Sequence, residues 1–171
     1  MKATVLTPPD FPNVTGKKSI FLGGSIEMGK ASDWQSAFIH KFEKKFGLHP
    51  DSPSYSLIAP EIQNYVILNP RRPDWDSSWK QSIKDPNFFQ QVVWELDYLE
   101  RATCRVFYFA TETLSPITLL ELGKFHAYRN TFVCWEGGYK REGNLEVFFH
   151  RYNLDWFPTM DAVINKIYEN I

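Results

Sequence analysis

The segment SPITLLELGKF, Ser115 to Phe125, carries one carboxylate, Glu121, among mostly apolar residues. A carboxylate held against apolar neighbours can act as a nucleophile or as a general acid–base. Ile117, Glu121 and Phe125 are spaced i, i+4, i+8, which places them along one side of a helix. The pattern leaves two readings open: a solvated glutamate pairing with Lys124, or an inward acid whose burial must be paired or used. A second acid, Asp97 in VVWELDYLERA, reads as the polar margin of an amphipathic helix. Asp74 and Asp76 in RRPDWDSSW interleave with Trp75 and Trp79. That loop is either a solvated, capped turn or a lid whose indoles suit flat ligands such as nucleobases. The GGSIEMG turn, with Gly24 and Ser25, could bring a ligand close to the backbone, yet it is neither a Walker A sequence nor a full G-x-G-x-x-G fingerprint. His40, His49, His126 and His150 show no metal-ligand spacing and there is no C-x-x-C, so neither a metal nor a cofactor is expected.

These residues need elements to hold them. Ser115 and Pro116 read as N-cap and first helical residue. Residues 31–46 repeat Trp34, Phe38, Phe42 and Phe46 at a helical period, and further helices are expected near 87–101 and 159–170. SIFLGGS, YVILNP, CRVFYFA and TFVCWE read as buried strands, and LEVFFHRY as strand-like. Continuous apolar strands alternating with helices predict a parallel sheet covered on both faces. In such a sheet ligands bind beyond the carboxyl ends of the strands. The loops Gly23–Ser25, Asn69–Trp79, Ala110–Ser115 and Trp135–Asn144 all leave such ends.

With 171 residues, 43% hydrophobic and 16% aromatic, the chain suits one globular domain, here divided into an extended lead-in over 1–17 and a domain over 18–171. A net charge of −1 gives no electrostatic footprint for nucleic acid or for an anionic membrane. No signal-type core or membrane-spanning apolar run is visible, and Cys104 and Cys134 lie in strand-like runs as buried thiols. A cytoplasmic protein is the expectation.

Four segments, in order, resemble the nucleoside 2-deoxyribosyltransferase family, in particular its bacterial and phage deoxyribosyltransferase-like branch. They are SIFLGGSIEMGKASDWQ, VILNPRRPDWDSSWKQ, QVVWELDYLERA through VFYFATETLSPITLLELGKF, and CWEGGYKREGNLEVFFHRYN. Residues 46–63 read as an insertion. The resemblance implies a flavodoxin-like, doubly wound five-stranded parallel sheet and a homo-oligomer. It also implies a nucleophile at Glu121, in the ELG motif, and a partner acid at Asp97, in ELDYL. Its substrates would be a 2′-deoxyribonucleoside and a free base, exchanged by double displacement; hydrolysis of nucleotides or other N-glycosides, and a non-catalytic sensor, stay open. Two positions depart from the pattern. Phe21 stands where relatives carry a positioning Tyr, and Glu27 where nucleotide hydrolases carry a phosphate-binding Arg, which favours nucleosides. Ser115 matches the hydrolases instead. In that family a neighbouring subunit's C-terminal region reaches the sugar 5′ end, and the resemblance makes Asn144 and Arg141 the candidates for it.

Overall fold

In the computed structural model, which describes residues 3–26, 31–49, 51–52 and 65–170, successive side chains of each central strand enter different cores. Ile20, Leu22, Ile67, Val106 and Cys134 enter one, while Phe21, Leu68, Phe107 and Trp135 enter the other. A strand buried on both faces has no polar side to show, which is why these runs are continuously apolar.

Five strands, β1 (Thr4–Leu6), β2 (Lys18–Gly24), β3 (Tyr65–Leu68), β4 (Cys104–Phe109) and β5 (Thr131–Trp135), form one parallel sheet in the order β1-β3-β2-β4-β5. Helices α1 (Trp34–Lys45) and α5 (Met160–Glu169) cover one face. Helices α2 (Pro86–Arg101), α3 (Pro116–Phe125) and α4 (Glu142–Tyr152) cover the other. The fold is α/β and doubly wound, as the strand pattern predicts, and flavodoxin-like, as the resemblance implies, with β1 added at the edge beside β3.

Two elements differ from the sequence expectation. LEVFFHRY is helical, not strand-like: it lies in α4, where Leu145 and Phe149 are buried one turn apart and Val147 is 69% exposed. Inward positions at i and i+4 satisfy a helix, whereas a strand would need alternation. The fifth strand comes instead from the extended lead-in, where Thr4–Leu6 pairs with Val66–Leu68 at the sheet edge. Of the segment expected to be an insertion, residues 50 and 53–63 lie outside the described residues, as does Glu27.

Helix α2 starts as its sequence directs: Asp85 accepts the backbone N–H groups of Asn87 and Phe88 at 3.1 and 3.2 Å, and Pro86 occupies the first turn. Helix α3 starts differently. Ser115 stands at the N-cap in a left-handed conformation (φ 49°, ψ 52°), and its hydroxyl makes no capping bond. It turns inward to Ser25 and Thr113 instead.

The carboxyl end of β2 meets β4 with no space for a side chain. A Cβ on Gly24 (φ +156°) would lie 2.5 Å from the Tyr108 carbonyl oxygen and 2.6 Å from the Trp34 ring. Gly24→Ala is therefore expected to cost about 1–3 kcal/mol, read as a lower urea midpoint at unchanged slope. Wild-type stability in that variant would show that the strand end has room to spread.

Candidate active site

Glu121 sits on the second turn of α3, and its surroundings separate the two readings left open by the sequence. Lys124, the surface partner it could have had, is bonded to Glu100 of α2 at 2.6 Å. Glu121 is partly buried, between the inward residues Thr118, Leu122 and Phe125 and an outward ridge. Ile117 belongs to that ridge: it is 60% exposed, while Phe125 is fully buried. A helix advances about 400° over four residues, so i, i+4 and i+8 drift by about 40° at each step. The shared face expected of Ile117, Glu121 and Phe125 is thus a spiral, and Glu121 lies on its edge.

Across from it, α2 presents Glu95. Burial drives the Glu95 carboxyl well above the ordinary carboxylate range, against the opposing effect of a hydrogen bond from Gln91. The Glu121 carboxyl is likewise raised, by burial first and by the negative charge of Glu95 second. Two carboxylates close together at low solvation do not both ionise easily. Gln91 fixes this arrangement: its Nε2 donates to Glu95 Oε1 at 2.8 Å and to the Pro70 carbonyl at 2.9 Å.

Asp97 is not brought to Glu121. It lies two residues beyond Glu95, about 200° around the helix. Its side chain is 38% exposed and 3.7 Å from Arg101.

The loop after β3 closes on itself. Asn69 accepts the Arg71 N–H at 3.0 Å, and Arg71 crosses to Gln35 of α1 at 3.1 Å. Arg72 grips Asp74 through two bonds of 2.8 Å and lies 4.7 Å over the Trp79 ring, which meets Trp75 at 5.1 Å. The Arg72 N–H groups hold the exposed Asp74 carboxyl below its usual range. Trp75 and Trp79 meet edge to face, their planes inclined by 61°.

At the carboxyl ends of β2 and β4, Ser25, Thr113 and Ser115 form a buried hydroxyl cluster with oxygens 2.5–2.8 Å apart. Ser25 also accepts the Ala110 N–H at 2.9 Å. Phe21 is buried on the α2 side, its ring 6.1 Å from Trp94, which directly precedes Glu95. Asn144 is exposed in the first turn of α4, away from these contacts.

Among the described residues no cluster of three His, Cys, Asp or Glu could hold a metal ion. A cavity of about 400 Å³ opens at the start of β5, lined by His126, Asn130, Asp155 and Lys166; neither glutamate faces it. Since ligands of such sheets bind beyond the carboxyl strand ends, the helix-borne carboxylates mark the better site.

Sequence reasoning passed over Glu95, Gln91, Arg72 and Thr113. A signal for the first two exists. Gln91, Trp94 and Tyr98 form the inward stripe of α2, and Glu95 lies four residues beyond the polar member of that stripe.

The raised carboxyls have a consequence for stability. A group with a folded-state pKa above its unfolded value favours the folded chain while protonated and loses that contribution as pH rises through the folded pKa. Glu121→Gln removes the buried charge, so it is expected to melt above wild type at about pH 8 and to converge with it near pH 4.5. The upward shift should be about 2–4 °C for each kcal/mol relieved. Equal melting temperatures at both pH values would place Glu121 in solvent.

The family description "nucleoside 2-deoxyribosyltransferase like" matches residues 17–139, most of the chain and every strand but the edge strand β1. No curated protein matches the chain. No helix among the described residues is long and apolar enough to cross a membrane. A five-stranded parallel sheet, with paired acids on the helices after β3 and β4, is the frame on which this match falls, and the chain belongs to the nucleoside 2-deoxyribosyltransferase-like family.

Proposed function

We propose that this chain exchanges bases on 2′-deoxyribonucleosides by double displacement through a glycosyl ester on Glu121. The observation that carries the proposal is Glu121 set against Glu95 of α2: burial raises both carboxyls, and the charge of Glu95 raises that of Glu121 further. Breaking an N-glycosidic bond builds positive charge at C1′ and negative charge on the departing base. A carboxylate and a carboxylic acid side by side serve both needs.

The Gln91 N–H favours the charged form of Glu95, so on this reading the cycle starts with the proton on Glu121. Positive charge developing at C1′ draws the negative charge to Glu121 and moves the proton to Glu95. Glu121 then attacks C1′ and forms the ester bond. The C1′–N bond breaks, its electron pair leaves with the base nitrogen, and Glu95 protonates the base. In the return half a second base attacks C1′, the ester pair goes back to Glu121, and Glu95 recovers the proton. Water in place of the second base would release free deoxyribose. Trp75 and Trp79 are the stacking surface for the base.

The acting form is a homo-oligomer. Leu114, Ile117 and Leu120 are 46%, 60% and 72% exposed on α3 and beside its start, next to Glu121. A second subunit on this ridge would deepen the burial of the nucleophile. Leu120→Glu is expected to shift the sedimentation coefficient towards the monomer; an unchanged coefficient would remove the ridge from any interface. Unpaired Cys104 and Cys134, both buried, suit a reducing compartment such as the cytoplasm.

Products resolved by chromatography, with and without an acceptor base, test the reaction. A new nucleoside supports transfer, whereas free base and deoxyribose alone would make the chain a hydrolase. Glu121→Ala should lower kcat by about 10³-fold or more. Glu95→Gln should lower it about 10²–10⁴-fold. Asp97→Asn should stay within about threefold, since its pair with Arg101 is solvent-exposed. Loss of activity in the Asp97 variant with retention in the Glu95 variant would return the second acid to Asp97.

A further inference from the structure

Buried polar groups in folded proteins are almost always paired, so exceptions that gather in one place call for a reason. Gln35 Nε2, Arg72 Nη1, Trp75 Nε1 and Gln91 Oε1 are buried without a hydrogen-bond partner among the described residues. All four belong to the loop that leaves β3 or are bonded to it. Three of them, on Gln91, Arg72 and Trp75, are linked through that loop and its contacts. Gln91 holds the Pro70 carbonyl, and Arg72, two residues on, lies over Trp79, which meets Trp75. Glu95 is also held by Gln91.

The chemistry of each free atom is determined by what its other atoms already do. The Pro70 carbonyl can only accept, so the Gln91 amide must turn Nε2 towards it, leaving Oε1 as a pure acceptor. Arg72 spends Nε and Nη2 on Asp74 at 2.8 Å each, so Nη1 keeps its N–H groups, on a side chain only 4% exposed. Trp75 Nε1 can only donate. The loop therefore offers fixed donors from Arg72 and Trp75, a fixed acceptor from Gln91, and an aromatic pair beside them.

Resting on the glycosyl-transfer reading, we infer that this site selects oxo-bases, those with a ring N–H beside a carbonyl, as in thymine, uracil and hypoxanthine. The ring N–H meets Gln91 Oε1 and the carbonyl oxygens meet Arg72 and Trp75. When the C1′–N bond breaks, the electron pair left on an oxo-base spreads onto its carbonyl oxygens, where the Arg72 cation stabilises it. Adenine has no carbonyl to receive that charge and, when joined to the sugar, no ring N–H. Cytosine joined to the sugar has one carbonyl but no ring N–H. A polar site built to bond a given group rejects the analogue lacking it far more strongly than an apolar pocket could.

The test has a turnover arm and a binding arm. In the first, kcat/KM for thymidine and deoxyinosine should exceed that for deoxyadenosine and deoxycytidine by about tenfold or more. Trp75→Phe, which keeps a ring but loses the donor, and Gln91→Leu should each lower the oxo-base over adenine ratio by about tenfold. Using the ratio cancels any general loss of activity, and a melting curve establishes that each variant folds. Equal kcat/KM for thymidine and deoxyadenosine would overturn the selectivity and leave base exchange standing. If no deoxynucleoside turns over, base exchange falls, and the binding arm decides the selectivity. Tryptophan quenching by free thymine and hypoxanthine at concentrations where adenine gives none would sustain it, and equal quenching by all three would defeat it.

Discussion

Two negative charges facing each other on packed helices are costly, and much of the structure is arranged so that Glu95 and Glu121 have no simple escape. Glu121 cannot discharge onto Lys124, because Lys124 is held by Glu100 at 2.6 Å. Glu95 cannot turn to solvent without releasing Gln91, whose amide also braces the Pro70 carbonyl. Salt bridges elsewhere, such as Lys41–Asp161 and Arg101–Asp97, are exposed and contribute little. No cation among the described residues is paired with these two acids, and burial raises both carboxyls, so that protonation would relieve them. A fold selected for stability alone would have placed an amide or an apolar side chain at one of these positions.

The sheet is what makes that confrontation possible. Parallel strands require crossovers, and the crossovers after β3 and β4 put α2 and α3 side by side on one face. Both helices run back along the strands, with their starts at the carboxyl ends. The starts are secured by different means: Asp85 caps α2 through its carboxylate. Helix α3 is instead anchored through the inward Ser115 hydroxyl, which ties it to Ser25 at the end of β2. A left-handed residue other than glycine is strained, and the Ser25–Thr113–Ser115 cluster supplies the bonds that hold it. The position of Glu121, two turns along from that anchor, follows from the end of the neighbouring strand.

The fold was largely legible in the chain because a strand covered on both faces needs an unbroken apolar run, and Ile20–Leu22, Val66–Leu68 and Val106–Phe109 are such runs, too short for a core helix and bounded by turns or helices. The edge strand Thr4–Leu6 escaped notice because a strand of three residues with two exposed leaves no pattern. Helix α4 was misjudged because Val147, Phe148 and Phe149 are adjacent, and adjacency alone does not distinguish a buried strand from a helix with one inward stripe. In the site, Glu121 stood out because its neighbours are apolar. Glu95 did not, because it shares the ELD stretch with Asp97, and only the rotation of α2 against α3 decides which of the two acids faces inward. Arg72 and Trp75 were hidden for a different reason. Their significance lies in atoms left without partners, and that depends on every neighbour being placed.

The two loops at the carboxyl edge of the sheet treat polar groups in opposite ways. Beyond β2 and β4 the hydroxyls of Ser25, Thr113 and Ser115 bond to one another and to the Ala110 N–H, which makes that corner rigid. Beyond β3 the loop satisfies most of Arg71, Arg72 and Gln91 but leaves Arg72 Nη1, Trp75 Nε1 and Gln91 Oε1 buried and unspent. The first arrangement fixes where α3 begins and hence where Glu121 stands. The second withholds hydrogen bonds that a flat polar ligand could complete, beside the only acid of α2 that faces Glu121. If Glu121 is the nucleophile as proposed, rigidity on its side and unspent bonding capacity on the leaving group's side are what a displacement at carbon needs: the attacking atom would be held in place, and the departing one would meet groups already oriented to receive its charge.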